Sequence, residues 1–152
     1  MPDYASLAEE IAATGLRDAL NAATGLGIEF ERREGGGFAD FNGDLRGTDV
    51  PTGRKAVVIV QGGESDNRHL LRLLHNAADK GASVLVWVVG SVNRMHPPTM
   101  EWLAANLNDG IAVKFLVFSR EAGFTPVTAK NWRRLNRGRT TGGEVAGNAR
   151  PE

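Results

Sequence analysis

Asp40 lies in the run Phe38-Ala39-Asp40-Phe41, a segment whose apolar residues predict a strand. A carboxylate on a strand can hold Mg²⁺ or Mn²⁺, which take oxygen ligands and activate water for phosphodiester hydrolysis. The same aspartate can instead cap a turn between two strands, and the sequence leaves both readings open. Gln61-Gly62-Gly63-Glu64-Ser65 precedes a predicted helix, where free backbone N–H groups can cradle a phosphate. The full phosphate-loop and dinucleotide patterns are absent, which favours an ordinary strand-to-helix turn. His69 and His75 are six residues apart on one predicted helix and do not share a face, so they make a poor metal pair. His96, before two prolines, reads as structural. No nucleophile, base and acid form a recognisable set.

The cations fall into two groups. Arg68 and Arg72, at i and i+4 on the predicted helix, either meet a phosphate backbone or form a solvated face. Lys130, Arg133, Arg134, Arg137 and Arg139 surround Trp132. Cations neutralise phosphates and an indole stacks on bases, so this is the best nucleic-acid feature in the chain. The competing reading packs Trp132 on the core and leaves the arginines to keep a terminus soluble. Trp87 and Trp102 fit core positions.

At 152 residues the chain is long enough for one domain with a single substantial core. Eighteen basic and 18 acidic side chains balance, which argues against a general polyanion binder while leaving room for a local basic patch. There is no Cys, hence no disulfide framework and no thiolate metal site. No apolar run has the length of a membrane span. Met1-Pro2-Asp3-Tyr4 lacks the basic-then-apolar start of a signal peptide, so a cytoplasmic protein is expected.

The elements that must position these residues follow from periodicity. Leu7, Ile11, Leu16 and Leu20 recur at helical spacing and predict one helix over 4–23, stopped by Gly25 and Gly27. Residues 28–32 alternate as a half-exposed strand, Gly35-Gly36-Gly37 makes a turn, and 38–45 is a second strand. A polar loop is expected over 47–54. The apolar run 55–61 predicts a central strand covered on both faces and ended by Gly62-Gly63. Ser65 or Asp66 caps a helix carrying Leu70, Leu71, Leu73, Leu74, Ala77 and Ala78, with Gly81 as its stop. A Val-rich strand over 83–89 follows, then a helix opened by Pro97-Pro98 with Met100, Leu103, Ala104 and Leu107 inward, then a last strand over 112–119. A nuclease-like α/β unit over 1–133 and a flexible Gly/Arg-rich tail over 134–152 are expected.

The order α-β-β-β-α-β-α-β, with Asp40 on the second strand, resembles the PD-(D/E)XK nuclease superfamily. More narrowly, the chain is similar to a nuclease-like domain at the N-terminal end of certain bacterial proteins of unknown function. Phe38-Ala39-Asp40 matches its second-strand motif, and Val57-Val58-Ile59 the start of its third-strand motif. His69-Leu70 and Leu73-Leu74 match its helix, Val86-Trp87-Val88 the next strand, and His96 with Trp102-Leu103 the next helix. Lys130-Asn131-Trp132 resembles the segment that closes the family domain, so the similarity runs over about 7–132. It implies an α/β fold with a restriction-endonuclease-like αβββαβ core, one further helix and strand, and a mixed central sheet flanked by helices.

The departures bear on chemistry. The family glutamate falls on Val60 and the glutamine that replaces the usual lysine falls on Gly62. The family helix glutamine and tyrosine fall on Arg72 and Asn76. Of the implied catalytic set only Asp40 remains, as a relic, and Val60 and Gly62 are degenerate positions without a metal-ligating side chain. Gln61, Glu64, Glu31, Glu9 or Glu10 would have to supply a migrated ligand for Mg²⁺ or Mn²⁺ to bind. The expectation is a catalytically degenerate nuclease-like domain acting as a nucleic-acid-associated binding or accessory protein. Its implied nucleic-acid contacts are Arg68, Arg72, Lys130, Arg133, Arg134 and Arg137. A protein-interaction or assembly module without nucleic acid, pairing through strand 112–119 as a sheet edge, is the alternative, and a metal-dependent endonuclease with a rearranged site is the third. Family members often carry a second domain and this chain ends after the first, which adds the expectation of a stand-alone accessory protein.

Overall fold

The computed structural model describes residues 4–40 and 42–139. Six strands, β1 (Ile28–Phe30), β2 (Asp44–Asp49), β3 (Arg54–Glu64), β4 (Val84–Ser91), β5 (Ala112–Ser119) and β6 (Gly123–Pro126), form one mixed sheet in sequential order. β1, β2 and β3 are an antiparallel meander, β3, β4 and β5 run parallel, and β6 returns antiparallel. The parallel pairs are bridged by α3 (Asn67–Lys80) and α4 (His96–Asn106), as crossovers between parallel strands require.

The alternation of strand side chains divides the interior into two layers. Val58, Val60, Val86, Val88 and Leu116 face α1 (Tyr4–Ala12) and α2 (Thr14–Thr24), where Ala8, Ile11 and Leu20 meet them. Val57, Ile59, Leu85, Trp87, Phe115 and Val117 face the other way, onto Leu73 and Ala77 of α3, Met100 of α4 and Trp132 of α5 (Trp132–Arg139). Strands covered on both sides are apolar throughout, which explains the uninterrupted runs in β3 and β4. The sheet curls around the first layer, so that α2 reaches the far strand β6 and Phe124 joins the α1–α2 cluster.

Several expectations are corrected. The single helix over 4–23 is two helices, because Ala13 is extended (φ −73°, ψ 162°) ahead of the weak helix formers Thr14 and Gly15. The break lets two short helices follow a curved surface. The second strand is Asp44–Asp49 and not 38–45: the described residues 38–40, 42 and 43 are not in a strand, and half of the expected 47–54 loop is strand. Leu45 decides the register by pairing with Val58, with both side chains in the α1–α2 layer. Gly62-Gly63 do not end β3, which continues to Glu64 through a bulge opposite Gly90. β5 is not an edge, because β6 covers it. Trp102, expected in the core, is 62% exposed, as is Leu71 at 66%. Asp66 and Gly81 do cap α3, the carboxylate accepting from the His69 N–H and Gly81 sitting at φ 69°. α5 runs across position 134, where the tail was expected to begin, and residues 140–152 of that tail lie outside the described residues, as does Phe41.

Candidate functional site

Asp40 sits in the loop before β2. Its Oδ1 accepts from the backbone N–H of Asn42 (2.9 Å) and of Asp44 (3.0 Å), and its carbonyl accepts from the Gly43 N–H (2.9 Å). This is the turn-capping role, in which a short carboxylate satisfies backbone donors the loop would otherwise leave open. Gly43 makes the turn possible at φ 89°.

The carboxylate that enters the fold is Asp44, the first residue of β2, opposite Ile59 and facing α3. Arg72 grips it with two parallel bonds, Nε to Oδ2 and Nη2 to Oδ1, each 3.0 Å. Asn76, one turn further along α3, donates to Oδ2 at 3.1 Å. Burial pushes the Asp44 carboxyl above the usual range, the Arg72 and Asn76 bonds pull it back, and the neighbouring Asp40 charge adds to the rise. A bidentate guanidinium is the strongest compensation a buried carboxylate can have from one side chain. Arg72 is thus spoken for inside the protein, while Arg68 is exposed in the first turn of the same helix.

Val60 and Gly62 do not complete a cation site with either aspartate. Val60 is fully buried in the α1–α2 layer, on the opposite face of the sheet from Asp44. Gly62 lies in the β3 bulge, its carbonyl so close to Gly90 that a Cβ there would collide with it. The migrated-ligand candidates also have other roles. Glu9 accepts from the N–H groups of Phe38 and Ala39 (2.8 and 2.9 Å), shaping the turn after Gly37. Glu10 pairs with Arg120 at 2.7 Å. Gln61 accepts from Trp87 Nε1 (3.1 Å) and donates to the Glu64 carbonyl (2.6 Å) and Asp66 (3.1 Å). Glu31 and Glu64 are exposed. Among the described residues no three His, Asp or Glu side chains converge as a cation cage.

A second polar cluster, which the sequence did not announce, lies where β3 and β4 end. Ser65 Oγ is 2.7 Å from His96 Nδ1, His96 Nε2 is 2.8 Å from Asn67 Oδ1, and Ser65 Oγ accepts the Asn93 N–H at 2.8 Å. An amide oxygen only accepts, so Nε2 carries the proton, Nδ1 is bare, and the Ser65 hydroxyl donates to it. Burial holds His96 below its ordinary pKa despite the nearby charges of Asp66 and Glu64, which fits this neutral tautomer. Ser65 is 2% and His96 1% exposed, so the chain of bonds joins two loops instead of meeting a substrate. Beside it, although burial opposes them, bonds from the His69 ring and backbone hold the Asp66 carboxyl below the usual range. In the sequence Ser65 reads only as a possible cap, and His96, before two prolines, as structural.

The basic residues occupy the surface near that end. Asn136 of α5 holds Val92 by both backbone groups, accepting from its N–H at 2.9 Å and donating to its carbonyl at 2.8 Å. This fixes α5 beside the β4–α4 loop, with Trp132 8% exposed against the core. Lys130, Arg133, Arg134 and Arg137 are all exposed, and the Arg133 guanidinium lies 4.7 Å from the Trp132 ring centroid. Trp132 therefore packs on the core, as the competing reading has it, and the cations lie on the surface. None of the described helices is long and apolar enough to cross a membrane. No family model, curated protein or solved structure matches the chain.

Proposed function

We propose that this protein is a catalytically degenerate PD-(D/E)XK-like domain that works as a nucleic-acid-associated binding or accessory protein. The element order supports the scaffold half of this reading: helices, an antiparallel three-strand meander, a crossover helix and a parallel fourth strand. The observation that carries the loss of chemistry is the Arg72–Asp44 pair. At the head of β2, beside the relic Asp40, a guanidinium and an amide already occupy the oxygens of Asp44, the carboxylate that could join Asp40 in holding a cation. A cation there would have to displace both, and Val60, buried on the other face of the sheet, offers it no second ligand. The exposed cations of Lys130 and α5 support the binding half, since phosphate neutralisation supplies most sequence-independent affinity.

The test pairs two assays. Plasmid and single-stranded substrates incubated with Mg²⁺ or Mn²⁺ should remain intact. Binding to the same nucleic acids should fall steeply with salt, and replacing Arg133, Arg134 and Arg137 by Ala should flatten the log–log salt slope by about one per cation. Metal-dependent cleavage overturns the proposal, as does affinity that ignores both salt and these cations.

A further inference from the structure

Three tryptophans are present and only one faces solvent. Trp87 is fully buried, stacks on Phe115 with centroids 4.9 Å apart and donates its N–H to Gln61. Trp132 anchors α5. Trp102 is 62% exposed on α4, whose inward residues are His96, Pro97 and Met100. Among the described residues no hydrogen bond engages its indole N–H and no aromatic ring stacks on it. A large aromatic left in water in this way loses the stabilisation that burial would bring.

Its position gives it a use. The carboxylate of Glu101, the residue before Trp102, accepts the N–H of Ala129, the residue before Lys130, at 2.8 Å. Trp102 and Lys130 therefore flank the two ends of one hydrogen bond, with Cα atoms separated by no more than about 17 Å from the covalent geometry alone. Arg133 and Arg134 follow on the first turn of α5. The acid adjoining Trp102 in the chain, Glu101, is already engaged by a backbone donor. A projecting ring beside a row of cations matches a strand of nucleic acid whose phosphates meet the cations and whose base lies on the ring. In a duplex the bases are stacked on one another and closed to such a ring.

We infer that Trp102 is a base-stacking residue and that the α4–α5 face binds single-stranded nucleic acid in preference to duplex. This rests on the nucleic-acid reading above and adds the strand type and the stacking residue. The experiment is fluorescence anisotropy with a labelled short oligothymidylate and a labelled duplex, on wild type, Trp102→Ala, Trp102→Phe and Lys130→Ala/Arg134→Ala. Circular dichroism confirms that each variant is folded, which the exposure of these side chains favours. Trp102→Ala should weaken oligothymidylate binding about tenfold, the loss of one stack, and leave duplex binding within about twofold. Trp102→Phe should restore most of the loss, and the double cation variant should weaken both ligands. Duplex bound as tightly as the single strand, or single-strand affinity unchanged in Trp102→Ala, overturns this inference and leaves the broader reading standing. No binding of either nucleic acid at low salt overturns both.

Discussion

The two edges of α3 hold their polar groups in opposite ways. On the edge toward β2, the Asp44 carboxyl is locked by the Arg72 guanidinium and the Asn76 amide. On the edge toward α4, Asn67, His96 and Ser65 form a chain of neutral groups in which the Ser65 hydroxyl and both His96 ring nitrogens are matched. The first cluster makes tolerable a carboxylate that the fold keeps at the head of a strand. The second holds together the two loops beyond the parallel strands, the place where α/β folds usually place ligands. A charged cluster fails badly when one partner is lost, because the other is left desolvated. A neutral one fails by a hydrogen bond or two.

Replacing Arg72 by Met should therefore have the largest effect. We expect a loss of about 2–3 kcal/mol in urea unfolding, below the about 3–5 kcal/mol of a fully buried pair, because the Arg72 side chain retains 24% exposure. The double variant Asp44→Asn/Arg72→Met should lose less than the two single changes added together. Strict additivity would mean that the pair is not coupled and would remove the contrast between the two edges.

Ser65→Ala should cost less, about 1–2 kcal/mol, by stranding His96 Nδ1 and the Asn93 N–H without an acceptor-and-donor partner. Chemical unfolding measures it, and a loss larger than that of Arg72→Met would reverse the order argued here.

A third effect depends on pH. His96 is held neutral, its folded pKa below the ordinary 6.5. Its contribution is fully present above pH 6.5. As the pH falls below that value the unfolded chain takes up a proton that the folded imidazole refuses, so stability declines until the folded value is passed. The melting temperature of wild type should drop between pH 7 and pH 5 more than that of His96→Gln. Parallel profiles would mean that the imidazole is not held neutral.

Asp40→Asn should do least, with a change under about 0.5 kcal/mol, since an amide oxygen can accept the same two backbone bonds. A loss of several degrees in thermal melting would assign Asp40 more than a turn.

What was readable from sequence follows the same divide between local and distant causes. β3 and β4 announce themselves because their central runs 56–60 and 84–89 are buried on both faces and apolar without a break, and β5 does so with Lys114 as its one interruption. The caps of α3 are local, and Asp66 and Gly81 could be named directly. β2 was misplaced because Asp44-Leu45-Arg46-Gly47-Thr48-Asp49 holds one large apolar residue, and its register depends on Leu45 meeting Val58 across the sheet. β6 has four residues and a proline, and α5 has only Trp132 and Leu135 to mark an inward face. Trp102 was drawn inward by neighbours that do pack, Met100 and Leu103, although it lies on the other side of the turn. At the site, Arg72 reads in the sequence as a phosphate-facing or solvated cation, and in the structure it pairs with Asp44. The pair Arg72 and Asn76 shares a helix face, but nothing local indicates that Asp44, 28 residues earlier, is what the face meets.

Isothermal titration of the wild-type protein with Mn²⁺ tests the central claim most directly, because it asks whether the oxygens of Asp44 and Asp40 are available to a divalent cation. With the carboxylate of Asp44 held by Arg72, we predict no stoichiometric heat and an identical trace for Asp44→Asn. A one-to-one isotherm that disappears in Asp44→Asn or Asp40→Asn would contradict the account.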